Sequence, residues 1–145
     1  MNVKELNDVV IRFSGDSGDG MQLTGTLFSD TAALFGNGIS TFPDYPAEIR
    51  APQGTVSGVS GFQVHFGSRR ILTPGDYCDV LVAMNPAALK ANVMWLKKDA
   101  TIIIDGDSLD EKGILRAGFK TSNPFEELGI KDYNILAPDI TSMTK

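Results

Sequence analysis

The sequence has little cysteine, with Cys78 the only one in 145 residues. A single cysteine excludes an internal disulfide and any cysteine-ligated cluster that this chain could hold alone. The first eight residues lack the apolar stretch of a signal peptide, and the apolar runs are far shorter than the ~20 residues that cross a bilayer. These absences predict a cytoplasmic protein with no membrane partner.

Basic residues are also too few for a polyanion-binding protein. There are 13 Lys and Arg against 18 Asp and Glu, which gives a net charge of −5. No basic stripe for nucleic acid and no polybasic run for anionic lipid is present, so we predict no nucleic-acid partner. The length is typical of one domain. Residues 140–145 resemble the start of a helix whose remainder is missing, so we expect residues 1–145 to be an N-terminal fragment of a longer subunit.

Short apolar strands alternate with helical segments along the chain. The predicted strands are residues 9–13, 62–66, 79–84, 100–104 and 133–137, and the predicted helices are residues 21–35 and 86–96. Strands that are apolar without clean alternation, joined by helices, are typical of a parallel sheet covered on both faces. We therefore predict a three-layer α/β/α fold with a mostly parallel sheet, and a β-hairpin insertion within residues 39–72.

The two predicted helices carry clear local signals. In the first, apolar side chains fall on one side at spacings of three, four and seven, the pattern of a helix that packs against a core. They are Leu23, Leu27, Phe28, Ala32, Leu34 and Phe35. The second begins with Asn85 as N-cap and Pro86 in its first turn, where the missing N–H is harmless.

A glycine-rich turn, residues 15–20, lies between the first strand and the first helix. Backbone amides at a helix start bind anions, and glycines let a phosphate approach closely, so the turn is a candidate phosphate site. A tight turn without a ligand is an equal alternative. The spacing is the inverse of the dinucleotide fingerprint, and no lysine follows Gly20 as a P-loop requires. Asp16 and Asp19 weaken anion binding unless they point outward or toward a partner's cation.

A second candidate segment, residues 42–54, contains three prolines that stiffen it around Arg50. Its guanidinium has the planar fork that suits a phosphate or a carboxylate. Taken alone, an ion pair between Glu48 and Arg50, or a solvated loop, is the better interpretation, because surface ion pairs are common.

Together the two segments resemble a known family. The run FSGDSGDGMQLTG, residues 13–25, followed by FPDYPAEIRAPQGTVSGVSGFQVHFG, residues 42–67, is similar to the gamma-type domain of 2-oxoacid:ferredoxin (acceptor) oxidoreductases. It looks most like the form fused to the N-terminus of a 2-oxoglutarate-type alpha subunit, and residues 79–86 fit the same pattern. Many members have Gly-Gly-Gln-Gly in the first loop, whereas this chain has Ser17-Gly18-Asp19-Gly20.

The resemblance implies a component of an enzyme that oxidatively decarboxylates a 2-oxoacid, expected to be 2-oxoglutarate, with coenzyme A (CoA) to give acyl-CoA, CO2 and reduced ferredoxin. Thiamine diphosphate, Mg and an iron–sulfur cluster are expected in other domains or subunits. The expected partners are the remaining alpha-subunit domains, a thiamine-binding beta subunit and ferredoxin. The isolated domain is expected to be inactive.

By the same resemblance, this domain helps to bind CoA and covers the active site. The candidate CoA contacts are Gly15, Ser17, Gly18, Gly20 and Arg50. No catalytic residue or metal ligand is assigned. Two alternatives stay open: a non-catalytic subunit-interface module, and an independent nucleotide-binding domain. His65, the only histidine, is interpreted as structural or exposed, Cys78 as packed, and Asp105 and Asp107 as caps of a loop.

Overall fold

A computed structural model describes residues 3–45 and 58–145. Within these residues six strands form one sheet in the order β2-β3-β1-β4-β5-β6. The strands are β1 Asp8–Asp16, β2 Gly38–Asp44, β3 Val59–Gly67, β4 Cys78–Ala83, β5 Leu96–Ile104 and β6 Asn134–Leu136. The helices are α1 Met21–Leu34, α2 Pro86–Asn92, α3 Glu111–Arg116, α4 Pro124–Glu127 and α5 Ile140–Met143, with 3-10 turns at Val93–Trp95 and Gly106–Ser108.

The sheet is mixed, with its parallel part built around β1. Strands β1, β4, β5 and β6 run parallel, whereas β3 pairs antiparallel with both β1 and β2. Three of the five strand pairings in the described part of the chain are therefore parallel. The predicted α/β fold is confirmed, and the predicted hairpin is the β2–β3 pair. This hairpin extends the sheet at one edge.

The side chains of β1 alternate between two covered faces of the sheet. Ile11 and Phe13 belong to the apolar cluster that includes Met21 and Phe28 of α1. Val10 belongs to a second cluster, which contains the fully buried Leu81, Leu89, Ile102 and Ile104. Because α1 and α2 supply residues to different clusters, they lie on opposite faces. The three-layer arrangement follows from this alternation.

The start of α2 was predicted correctly, but its end was not. Oδ1 of Asn85 accepts a hydrogen bond from the amide of Ala88 at 2.8 Å, with Pro86 in the first turn. The predicted helix reached Leu96, whereas α2 ends at Asn92 and a 3-10 turn follows. Leu96 is the first residue of β5, is 9% exposed and pairs with Cys78. Sheet pairing and burial at Leu96 therefore override the helical pattern.

Only part of the predicted apolar side of α1 faces the sheet. Ala32 is buried and Phe28 packs against the cluster of Phe13 and Phe62, as predicted, whereas Leu23 is 64% exposed, Leu27 57% and Leu34 87%. The other buried residues of α1 are Met21 and Gly25. A Cβ atom at Gly25 would collide with the ring of Phe62, so the absence of a side chain lets the helix lie directly on β3. Small residues thus set the orientation of this helix, and its leucines face outward.

Short helices α3 and α4 were not identified in the sequence. Both have side-chain caps: Asp110 accepts a hydrogen bond from the Gly113 amide, and Asn123 accepts one from the Glu126 amide. None of the helices in residues 3–45 and 58–145 is long and apolar enough to cross a membrane.

Candidate functional site

The glycine loop lies at the carboxyl edge of the parallel strands, between the end of β1 and the first residue of α1. Gly20 is the N-cap of α1 and has a φ of 73°, in the left-handed region that favours glycine. It provides no capping side chain. The first turn of this 14-residue helix therefore depends on solvent or on a ligand for its amides.

One of the two acidic side chains of this loop folds back onto the loop itself. Oδ2 of Asp19 accepts a hydrogen bond from the amide of Asp16 at 2.7 Å, and the amide of Asp19 donates to the Asp16 carbonyl at 2.9 Å. A Cβ atom at Gly15 would lie 2.7 Å from Oδ2 of Asp19. Gly15 is therefore needed for the loop to close, whatever else the loop binds.

The remaining predicted loop residues differ in how open they are. The amide of Ser17 donates to the Gly58 carbonyl at 3.1 Å, and the Ser17 hydroxyl lies 3.3 Å from the same oxygen. Among the described residues we find no hydrogen-bond partner for the amides of Gly18 and Gly20. A Cβ atom at Gly18 would meet nothing within 4 Å. Gly18 and Gly20 are thus the open part of the loop, whereas Arg50 lies outside the described residues.

The turn after β4 completes one wall of the site. Nδ2 of Asn85 donates to Oδ1 of Asp16 at 3.0 Å, which joins this turn to the glycine loop. After β1 the chain continues to α1 on one face of the sheet. After the adjacent β4 it continues to α2 on the other face. Such a divergence opens a crevice at the carboxyl edge, where open α/β sheets bind ligands. In the sequence Asn85 was identified only as a helix cap. Its position directly after β4, the strand that pairs with β1, could have indicated that it lies beside the glycine loop.

Two cavities lined by described residues open at this edge. The first, of about 400 Å³, extends from Asp16 and Asn85 to α3. The second, of about 420 Å³, lies between the glycine loop and the C-terminal segment. Both are lined by residues that the sequence analysis did not connect with the glycine loop, among them Lys112 and Arg116 in the first cavity, and Thr141 and Ser142 in the second.

Two of the four carboxylates that line the second cavity, those of Asp105 and Asp107, hold the C-terminal segment in place. Asp105 is 2% exposed and accepts hydrogen bonds from the Thr141 hydroxyl at 2.5 Å and the Asp107 amide at 3.3 Å. Asp107 accepts two from Ser142, through its hydroxyl and its amide, each at 2.7 Å. These bonds to Ser142 lower the pKa of Asp107 below its ordinary value. The capping role predicted for Asp105 is confirmed.

A buried polar network lies on the α2 face, behind the edge. The Arg12 side chain donates to Oδ1 of Asn92 through Nε at 2.5 Å and to Oε1 of Gln63 through Nη1 at 3.2 Å, and it pairs with Asp44. Nδ2 of Asn92 donates to the Ser14 hydroxyl at 2.7 Å. The network links α2 to β1, β2 and β3. It was not predicted, because its members are far apart in sequence.

His65 and Cys78 lie away from this edge. His65 contacts Asp8 through Nε2 at 2.5 Å and the Thr73 carbonyl through Nδ1 at 2.6 Å. Asp8 is the first residue of β1, at the amino end opposite the glycine loop. Cys78 is fully buried, as predicted, and burial raises the pKa of its thiol to about 11.

The residues present do not fit the cofactors expected elsewhere in the enzyme. A buried thiol with a raised pKa is a poor thiolate ligand for an iron–sulfur cluster. Oδ2 of Asp19 is bound to the Asp16 amide within the loop, and the described residues contain no group of three or more His, Cys, Asp or Glu side chains that could hold a metal ion. The described part of this chain therefore supplies neither centre.

The fold defines an α/β domain with a crevice beside the glycine loop, at the carboxyl edge of its parallel strands. The family described as pyruvate ferredoxin/flavodoxin oxidoreductase matches residues 10–145, and the chain belongs to this family. The chain is 51% identical over 141 residues to the 2-oxoglutarate oxidoreductase subunit KorA of Mycobacterium tuberculosis, covering 97% of this chain and 21% of that protein. It thus spans about a fifth of that curated relative, and the predicted family resemblance is confirmed.

Solved structures share the fold. A 2-oxoglutarate:ferredoxin oxidoreductase from Magnetococcus marinus aligns with a TM-score of 0.71 at 23% identity, over 97% of this chain and 21% of that one. The gamma subunit of a keto/oxoacid ferredoxin oxidoreductase from Geobacter sulfurreducens aligns with a TM-score of 0.64 at 21% identity, over 97% of this chain and 65% of that one. At these identities the similarity supports the fold.

Proposed function

We propose that this chain is the gamma-type domain of a 2-oxoglutarate:ferredoxin oxidoreductase. The whole enzyme converts 2-oxoglutarate and CoA to succinyl-CoA and CO2 and reduces ferredoxin. The observation that carries this proposal is the 51% identity, over 97% of the chain, to a 2-oxoglutarate oxidoreductase subunit. Since the chain spans 21% of that subunit, thiamine diphosphate, Mg, the iron–sulfur cluster and most partner contacts belong to other domains or subunits, and the isolated chain is inactive.

The part played by this domain is to bind CoA at the carboxyl edge of the sheet and to cover the neighbouring active site. Open amides at Gly18 and Gly20, next to the positive end of α1, suit an anionic group. The relative from Magnetococcus marinus was solved with 2-oxoglutarate, CoA and succinyl-CoA bound, which supports CoA as a ligand of the assembled enzyme. Arg50 contributes a charge-assisted contact from the second segment.

Calorimetric titration of the assembled enzyme with CoA tests this assignment. A valine side chain at Gly18 would enter open space in the free domain, so Gly18→Val leaves the fold intact but obstructs a ligand at the loop. We expect the Kd for CoA to rise about tenfold or more in both variants, because Gly18→Val blocks the approach of an anion to the loop amides and Arg50→Ala removes a charge-assisted contact. Arg70→Ala, at an exposed position after β3, is the matched control and keeps the wild-type Kd.

An unchanged Kd in both variants would remove the glycine loop and Arg50 from the CoA site. That result would favour the second candidate function, a module that mainly contacts other domains or subunits. The exposed leucines of α1 are the observation that supports this alternative, since a large apolar surface is typical of an interface. The two candidate functions therefore predict different Kd values for CoA in these variants.

A further inference from the structure

The first cavity at the carboxyl edge has two cationic side chains on one wall. Lys112 and Arg116 are four residues apart on α3, so they lie on the same side of this helix, and both line the cavity. The opposite wall contains Asp16 of the glycine loop and Asn85. The cavity therefore continues the crevice away from Gly18 and Gly20, along the α2 side of the sheet.

Among the described residues the two cations of this cavity have no salt-bridge partner, whereas each of its two carboxylates accepts a hydrogen bond. Neither Lys112 nor Arg116 takes part in a salt bridge within residues 3–45 and 58–145. Asp110 accepts a hydrogen bond from the Gly113 amide at 2.7 Å, and Asp16 accepts one from Asn85 at 3.0 Å. The two cations of one wall are thus available as donors to a ligand, which is the chemistry that binds a phosphate group.

We propose that Lys112 and Arg116 bind the 3′-phosphate of CoA. This inference rests on the proposed function and extends the site beyond the glycine loop. CoA carries two separate anionic groups: an internal diphosphate, and a terminal phosphate monoester on the ribose. The monoester has a charge close to −2 at pH 7 and three exposed oxygens, which match an arginine fork beside a lysine. The open loop amides suit the diphosphate, where the backbone must approach closely.

The test compares CoA with dephospho-CoA, which lacks only the 3′-phosphate, as substrates of the assembled oxidoreductase with 2-oxoglutarate. In the wild-type enzyme we expect the KM for dephospho-CoA to exceed that for CoA about tenfold. In the double variant Lys112→Ala/Arg116→Ala the KM for CoA rises to the dephospho-CoA value, and the KM for dephospho-CoA does not change. The matched control is Arg70→Ala/Lys98→Ala, which removes the same charges from exposed positions at the amino end of the sheet.

Each other outcome has a definite meaning. A double variant that still discriminates between the two substrates as the wild type does would overturn the inference and leave the proposed function intact. An equal rise in the KM values for CoA and for dephospho-CoA would indicate that Lys112 and Arg116 bind the diphosphate. That result would also overturn the inference. A wild-type enzyme that shows no CoA-dependent oxidation of 2-oxoglutarate would remove the proposed function and this inference together. Lys112→Gln/Arg116→Gln repeats the test with longer polar side chains if the alanine variant fails to assemble.

Discussion

The two helices that cover the sheet, α1 and α2, are buried in opposite ways. The seven-residue α2 has fully buried Ala88 and Leu89, and its Asn92 joins the polar network around Arg12. The fourteen-residue α1 is twice as long and has three buried residues, Met21, Gly25 and Ala32, with Phe28 packed against the rings of Phe13 and Phe66. Length and apolar content therefore do not show which residues of a helix are buried against its sheet.

The two helices also differ in what determines which of their sides faces the sheet. In α2 the large apolar side chain of Leu89 faces the sheet and enters the main core cluster. In α1 the close approach of Gly25 to Phe62 decides which side faces the sheet, and the leucines face away. We conclude that α2 is held by burial of Leu89 in the main cluster, and that α1 is held by Met21 and Phe28 together with the close approach at Gly25, a position without a side chain.

The largest expected difference between the helices is in the effect of removing a leucine. Leu89→Ala should lower the free energy of unfolding by about 2–5 kcal/mol, because it leaves a cavity in a fully buried cluster. Leu27→Ala, the matched change on the 57% exposed side of α1, should stay within about 0.5 kcal/mol. Urea unfolding of the 145-residue chain measures both. Equal losses in the two variants would contradict the comparison.

A smaller effect, but one with a diagnostic sign, is expected at Gly25. If this residue faced solvent, Gly25→Ala would stabilise α1 by about 1 kcal/mol through helix propensity. Because a Cβ atom there would collide with the Phe62 ring, we expect a loss of about 1–3 kcal/mol instead. Ala33→Gly, on the exposed side of α1, measures propensity alone and should cost about 1 kcal/mol.

The double variant Gly25→Ala/Phe62→Ala makes this measurement specific. Alanine at position 62 removes the Cγ and ring atoms with which a Cβ atom at position 25 would collide, so adding Gly25→Ala to Phe62→Ala should cost less than adding it to the wild type. A stabilising effect of Gly25→Ala in the wild-type chain would show that α1 has its leucine side toward the sheet, as the apolar spacing alone predicts.

The local sequence determines more of the glycine loop than of the cavity beside it. Gly15, Gly20 and Asp19 act within six consecutive residues, so the strand, the turn and the helix start could be predicted together. The pair Lys112 and Arg116 meets Asp16 only because α3 packs beside α2, a tertiary contact with no local signal. The family was recognisable because two long motifs lie close together in the chain, at residues 13–25 and 42–67.

The same distinction explains the incorrect predictions. The exposure of Leu23 and Leu34 results from the contact of Gly25 with Phe62, which are 37 positions apart. The early end of α2 results from pairing of Leu96 with Cys78. Both depend on a partner strand, and periodicity within a single segment carries no information about that strand.

The smallest expected effect concerns the part of the α2 face that a loop, not a helix, covers. There Asp8 accepts a hydrogen bond from His65, and this bond holds the pKa of Asp8 below its ordinary value of 3.8. A lowered carboxyl pKa stabilises the folded chain above that ordinary value, and the stabilisation is lost as the pH falls through the folded-state pKa. Asp8→Asn should therefore be slightly less stable than the wild type at pH 6, and the difference in the free energy of unfolding should narrow below about pH 4.

Urea unfolding at several pH values measures this difference, with Asp132→Asn at an exposed position as control. A gap that stays constant down to pH 3 would show that the contact between His65 and Asp8 does not depend on the carboxylate charge, and that this loop-covered region is held by packing, as α2 is.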